Sequence, residues 1–509
     1  MDKMEIEKIA VVGLDGLSWD FLQVLINHGI FTKIKNILAK SFKSTLYAYP
    51  PTSFPSWSSI LTGVNPGKHG IFSFDYLDRE TLTQRLYTAL DLEHPRIHEM
   101  LAMNNIPSIM FNPIPDYPLI PMRNIRVVSH MFFTPKTTYY PESMKKYASI
   151  LSEPPKIIVR SKTDLLNSLY HAVNSYLSII EELINEDWRV FWINLNIPDP
   201  IHHKLPETIL KGEISTKVAK IFTITDKIVG KLNEVADILI ILSDHGFNIY
   251  QTLISVNDFL AKKGYIKLTM ETRHALKEHK EIFLEEIGVG KGNVRYVKIS
   301  PTLRSILKPF KPIIKRAYKL ITGSEIRSVR LLVDPKGSAA FLQSRSSFGV
   351  YIREKALKSK IKEELSLLPG IKWVKSREEV FHGPYVMRAP DLMLHPDFER
   401  GFTIAGNKVH GQIFLKTKSA SHSPFGVFIL HDNSNVLNLD ARAKISIMMN
   451  YHVAPIIMYM VKAPLSHLIN DVSVLKKLLD TGRLKYRNYV SLWKIVKRVS
   501  RIKRLYVAI

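Results

Sequence analysis

Ser53, Asp199, His203, Asp244, His245 and His422 are the side chains whose types and spacing could do chemistry on an anion. The segment PPTSFPSWSSILTGVNPGKHGIF places Ser53 just ahead of Pro55, a favourable first-turn residue, and of SWSSILTG, which can run as a helix. A hydroxyl there sits at a helix N-terminus, where backbone N–H groups and the dipole favour negative charge, so a phosphate drawn to that point would meet Ser53. Taken alone, Ser53 reads more simply as a helix N-cap. In DPIHH, Asp199 and His203 stand four residues apart, on one face of a turn or helix start. Asp244-His245-Gly246 closes one apolar run, and His422, in SASHSPFGVF, precedes another. Carboxylates and imidazoles of this kind suit Zn²⁺ or Mn²⁺ in N/O coordination. A lone buried His is more often a satisfied core residue than a ligand, so it is their joint position that carries the signal. The chain has no cysteine, which excludes disulfides, thiolate nucleophiles, Cys-zinc sites and iron–sulfur clusters. Any metal must therefore sit on His, Asp, Glu or hydroxyl ligands.

Positioning these groups requires strands that end together. Residues 8–14, KIAVVGL, form a continuous apolar run that stops at Asp15-Gly16, the pattern of a buried parallel strand. RVFWINLNIPD runs likewise to Asp199, and ADILIILSDHG to Asp244-His245. Helical patterns over 165–183 and 216–235 separate the runs. Alternating strands and helices predict an α/β fold, a doubly wound sheet with helices on both faces. Ligands bind such sheets at the carboxyl ends of the strands, where three independent strands here deliver acidic groups. The second half is less regular: SAAFLQSRSSFGVYI reads as short strands, 354–367 as a helix, and the sheet is expected to resume near Asp391. That divides the chain into a core of 1–254 and 391–470, an inserted α+β cap of 255–390, and a tail of 471–509.

These motifs resemble the alkaline phosphatase superfamily, and within it the type I phosphodiesterase/nucleotide pyrophosphatase branch and the phosphohydrolase/phosphomutase-like proteins beside it. VVGLDG, the Ser53 block, PD followed by His203, and LSDHG stand in that family's order, with YVMRAPDLML, SHSPFGVFIL and VAPIIMYMV matching weaker C-terminal blocks. The resemblance implies an alkaline-phosphatase-like fold and two divalent metal ions, Zn or alternatively Mn. Asp15, Ser53, Asp244 and His245 would hold one, and Asp199, His203 and His422 the other. His202 is the alternative to His203, and His410 to His422. The implied activity is cleavage of a phosphate ester, diester or monoester, in a small-molecule substrate through a covalent phospho-Ser53. A phosphomutase-like phosphotransferase and a membrane-surface binding protein that keeps the fold without turnover are the alternatives. Ser53 stands where most nucleotide pyrophosphatases carry Thr, Phe74 where they carry a phosphate-holding Asn, and His452 where the family has Asp before VAP, a position read as structural. Trp57 stands where sulfatases need Arg, which disfavours that activity.

The formal charge of +25 is unevenly placed. Residues 287–330 carry eleven Lys/Arg and one acid, and residues 471–509 eleven Lys/Arg against two acids, which together give +19. In the tail, Leu492, Ile495, Val496, Val499, Ile502 and Tyr506 recur at helical spacing with cations largely opposite. Such a basic amphipathic helix either docks on its own domain with a solvated cationic face or touches an anionic membrane. Neither basic segment interleaves aromatics and glycines as an RNA-binding sheet would, so nucleic acid is unsupported. The first residues lack a basic signal-peptide region and 445–461 is interrupted by Asn450, His452 and Pro455, so the expectation is a cytoplasmic protein, peripheral to the membrane if the tail binds it.

Overall fold

The computed structural model describes residues 5–130, 137–151, 161–272, 284–289, 293–297, 326–437 and 445–507. Most of the basic middle segment, 298–325, lies outside these residues. The chain forms two compact units, one of Met1–Gln251, Ser376–Ala389 and Lys418–Ile509, the other of Thr252–Lys375 and Pro390–Thr417.

A nine-stranded sheet organises the first unit. Its strands are β1 (Ile9–Leu14), β2 (Phe42–Tyr47), β3 (Ser108–Phe111), β4 (Ile125–Ser129), β5 (Thr138–Tyr140), β6 (Val190–Leu195), β7 (Ile238–Leu242), β8 (Phe425–Asp432) and β9 (Ile447–Met449). They lie in the order β9-β2-β8-β7-β1-β6-β3-β4-β5. β7, β1, β6, β3 and β4 run parallel, so their carboxyl ends share one edge. β8 is antiparallel to both of its neighbours, β7 and β2.

Every residue of β1, β6 and β7 is buried, because helices cover both faces and each strand must be apolar on both. Alternation divides β1 between two cores: Ile9 and Val11 pack with Trp57, Trp192 and Ile457, while Ala10 and Val12 pack with Phe21, Phe191 and Ile221. Each fully buried aliphatic side chain of this kind contributes roughly 1.5–3 kcal/mol. The helices the sequence predicts are α2 (Lys162–Leu183) and α4 (Thr216–Val235), which follow α1 (Ser53–Thr62) and α3 (Asp199–Lys204). Ser161 and Ser215 cap α2 and α4 by accepting N–H bonds from Asp164 and Val218.

The sheet does not resume near Asp391. Leu392–Pro396 is a strand, but it joins a separate four-stranded sheet in the second unit. The run is apolar and of strand length, so composition alone could not say which sheet it enters. The central sheet regains the chain at β8.

The tail forms α5 (Tyr489–Val507). It docks through Tyr489 and Trp493, both fully buried, with Val496 against the same core and Lys497 donating to the Leu92 carbonyl. Among the described residues no helix is long and apolar enough to cross a membrane.

Candidate metal centre

All seven side chains singled out above belong to the first unit, at or just beyond strand ends. Asp15 follows β1, Asp244 and His245 follow β7, and Asp199 and His203 lie on α3 beyond β6. His422 sits near the end of the strand Phe414–Ser423, just ahead of β8. Ser53 opens α1, and Thr52, not Ser53, is the residue in N-cap position. The Ser53 hydroxyl is thus not committed to capping and reaches the carboxyl edge of the sheet.

Two groups form. Asp199, His203 and His422 converge, with Asp199 Oδ1 3.1 Å from His422 Nε2 and 3.5 Å from His203 Nε2. Around Ser53, the hydroxyl lies 3.5 Å from Asp15 Oδ1 and 3.3 Å from His245 Nε2, and His245 Nε2 lies 3.4 Å from Asp244 Oδ2. Asp199 also comes together with Asp15 and His245, so it stands between the two groups. His202 is not part of them: its ring is buried edge-on against Phe21, with centroids 4.3 Å apart, and Nδ1 faces Thr208 Oγ1. His410 lies in the second unit, where its N–H donates to Asp258. His452 is buried and accepts from the Met449 N–H.

The hydrogen bonds fix which atoms face inward. His422 Nδ1 donates to the Pro51 carbonyl at 3.0 Å and His245 Nδ1 to the Gly246 carbonyl at 3.0 Å. A carbonyl can only accept, so Nδ1 carries a proton in both rings and Nε2 is the atom that faces the centre, a lone pair in the neutral form. Those lone pairs confront carboxylate oxygens, and Asp199 Oδ1 and Asp244 Oδ2 receive no hydrogen bond. His203 and His422 also oppose Nε2 to Nε2 at 3.0 Å. No lysine or arginine among the described residues pairs with Asp15, Asp199 or Asp244. Acceptor facing acceptor around buried carboxylates is the donor set a divalent cation requires, and the residues fit one.

The electrostatics agree. Burial, then the neighbouring carboxylates, pushes Asp15 well above the usual carboxyl range, and burial with Asp199 does the same to Asp244. Burial would raise Asp199 too, but the imidazoles of His203, His422 and His245 outweigh it and hold it below its ordinary value. Burial and His245 lower His422 to about 3, so this ring is neutral and able to ligate at neutral pH. His203 is the most open group, with 39% of its side chain exposed, and marks the solvent side.

The supporting roles of four residues escaped the sequence reading. Trp57 Nε1 donates to Asp15 Oδ2 at 3.3 Å, and the buried indole packs where a Cβ on Gly13 would lie 2.5 Å from it. Gly13 is therefore required by close approach. Phe247 contacts the rings of His202, His203 and His422 at 4.9–5.2 Å and walls the site. Gly16 adopts φ +78 beneath Phe247, and its N–H donates to Asp244 Oδ1 at 3.2 Å. The place of Phe247, two residues beyond His245, was the available signal.

Residues 9–418 match the family described as type I phosphodiesterase/nucleotide pyrophosphatase. No curated protein matches the sequence. Among solved structures, phosphonoacetate hydrolase from Sinorhizobium meliloti 1021, in complex with phosphonoformate, is similar at TM-score 0.57 and 14% identity over 91% of this chain and 100% of that one. Murine ectonucleotide pyrophosphatase/phosphodiesterase 5 in complex with AMP gives TM-score 0.51 and 12% identity over 93% and 100%. Alkaline phosphatase PafA gives 0.50 and 12% over 90% and 96%. At such identities these structures speak to the fold, which is alkaline-phosphatase-like.

Proposed function

Because the chain belongs to the type I phosphodiesterase/nucleotide pyrophosphatase family, and is thereby a phosphoester hydrolase, we propose that Ser53 is its nucleophile and that two divalent cations complete the site. The reading is supported above all by the Ser53 hydroxyl lying 3.3 Å from His245 Nε2 and 3.5 Å from Asp15 Oδ1, among carboxylates that no described lysine or arginine pairs. Asp15, Ser53, Asp244 and His245 would hold one cation, and Asp199, His203 and His422 the other. Zn²⁺ suits the N/O set, with Mn²⁺ as the alternative. Bound there, such ions supply positive charge that eases loss of the serine proton and neutralises phosphate oxygens.

The chain's own residues do the rest. The N-terminus of α1 presents Ser53 where its dipole favours an anionic phosphate. Ser53 Oγ gives up its proton to solvent and attacks phosphorus, the Oγ–P bond forms, and the bond to the leaving oxygen breaks, with that oxygen taking a proton from solvent. A water molecule then cleaves Oγ–P, releasing the phosphoryl product and restoring the hydroxyl. Phe247 shields one side of the histidines from water, and the exposed edge of His203 leaves an approach for a small phosphate ester. Phe74, packed on Phe54 with centroids 5.0 Å apart, offers no amide to a phosphate oxygen.

The protein supplemented with Zn²⁺ or Mn²⁺ is expected to release p-nitrophenol from p-nitrophenyl phosphate, bis-p-nitrophenyl phosphate or both. Inertness toward both under either metal would overturn the assignment. Trp57→Phe is expected to keep the packing and lose the bond to Asp15. Calorimetric titration should then show cation affinity falling about 10- to 100-fold. Unchanged affinity would show that the indole N–H does not position this carboxylate.

A further inference from the structure

α5 carries a second apolar face that is solvent-exposed among the described residues. On a helix of 3.6 residues per turn, Tyr489, Trp493, Val496 and Lys497 share the side that docks on the core. Leu492, Ile495 and Val499 fall within an arc of about 60°, roughly 100° round from that side. They are 43%, 61% and 47% exposed. Lys494 and Arg498, both exposed, lie on a third face beside this stripe. The sequence continues the apolar spacing with Ile502 and Tyr506 and the cations with Arg501, Lys503 and Arg504.

A helix that merely docks needs one apolar face, and its outer side should be polar. Here the outer side pairs large aliphatic residues with cations, and residues 481–509 hold nine Lys/Arg and no acid. No carboxylate along the segment neutralises that charge. We propose that this face of α5 is a docking surface for an anionic lipid bilayer, with Leu492, Ile495 and Val499 entering the headgroup boundary and the flanking Lys and Arg meeting lipid phosphates. Charge complementarity selects this occupant. A second copy of the chain would set cations against cations, and a nucleic acid would engage the cations while leaving the aliphatic stripe in water. Apolar burial and cationic attraction act together in interfacial helices, which is the combination displayed.

Co-sedimentation of the full chain with vesicles tests this. Vesicles of phosphatidylcholine and phosphatidylglycerol at 3:1 are expected to retain the protein, and pure phosphatidylcholine vesicles to retain little. A variant with Leu492→Ser, Ile495→Ser and Val499→Ser is expected to bind the anionic vesicles at least about 10-fold more weakly. These positions are solvent-facing, so its melting temperature should match the parent's, which separates loss of binding from loss of fold. Absence of binding by the parent chain would overturn the proposal. Equal binding by parent and variant would also overturn it, as would duplex DNA binding that matches vesicle binding and is untouched by the three substitutions.

Discussion

Ser53→Ala is expected to lower kcat toward p-nitrophenyl esters by about 10³-fold or more while the protein folds normally. The hydroxyl is the one group at the N-terminus of α1 that faces both Asp15 and His245, at 3.5 and 3.3 Å. Alanine removes it without disturbing the helix, because Thr52 occupies the N-cap position and the surrounding side chains of α1 remain buried. Steady-state kinetics would read the loss, and an unchanged melting temperature would show that it is chemical rather than structural. A variant with wild-type-like turnover would sink the nucleophile assignment, whatever the metals do. Cation affinity should fall less than turnover, since Asp15, Asp244 and His245 persist around the same point.

Stripping divalent cations with a chelator is expected to abolish turnover and lower the melting temperature by several degrees. Two ions at 100-fold excess over Kd would each stabilise the fold by about 2.7 kcal/mol. In a unit of this size each kcal/mol is worth about 2 °C or somewhat less. The effect should depend on pH in a defined sense. Burial raises Asp15 and Asp244 above their unfolded values, so the folded chain holds their protons longer than the unfolded chain does. Their stabilising share is therefore present at low pH and is lost as the pH rises through the folded values. A bound cation selects the ionised carboxylates and cancels that loss. Differential scanning of loaded and stripped protein should thus show a gap that widens as the pH rises through the folded values of these carboxylates. A gap that is flat or narrows with pH would argue that these carboxylates are not ligands.

Much of this was legible before any coordinates. Apolar runs ending in Asp15, Asp199 and Asp244-His245 are dictated by strands buried on both faces, so the sequence pattern and the sheet edge coincide. α2 and α4 were equally plain, since long amphipathic periods leave little alternative. The strand Leu392–Pro396 was misplaced because a short buried run carries no mark of its partner, and pairing is decided by long-range contacts. Trp57 and Phe247 were missed for a related reason. A buried aromatic looks like core from sequence, and only the fold shows one donating to Asp15 and the other lying among histidines. In α5 the sequence grouped Val496 with Leu492, Ile495 and Val499, yet the core takes Val496 with Trp493 and leaves the other three outside. Helical periodicity reveals that apolar faces exist but not which of them meets the protein.

The position of β8 between β2 and β7 also bears on how the chain is made. At about 5–20 residues per second, the roughly 400 residues between Asp15 and His422 take about 20–80 s to synthesise. Through that interval β2, which leads into Ser53, has no neighbour in the sheet to join it to β7, because its partner Phe425–Asp432 does not yet exist. The nascent chain therefore carries its serine and most of its acidic groups without the strand that draws them together. Chains cut short before this point are expected to lack turnover altogether, because His422 is missing and the strand ahead of Ser53 has neither of its sheet partners.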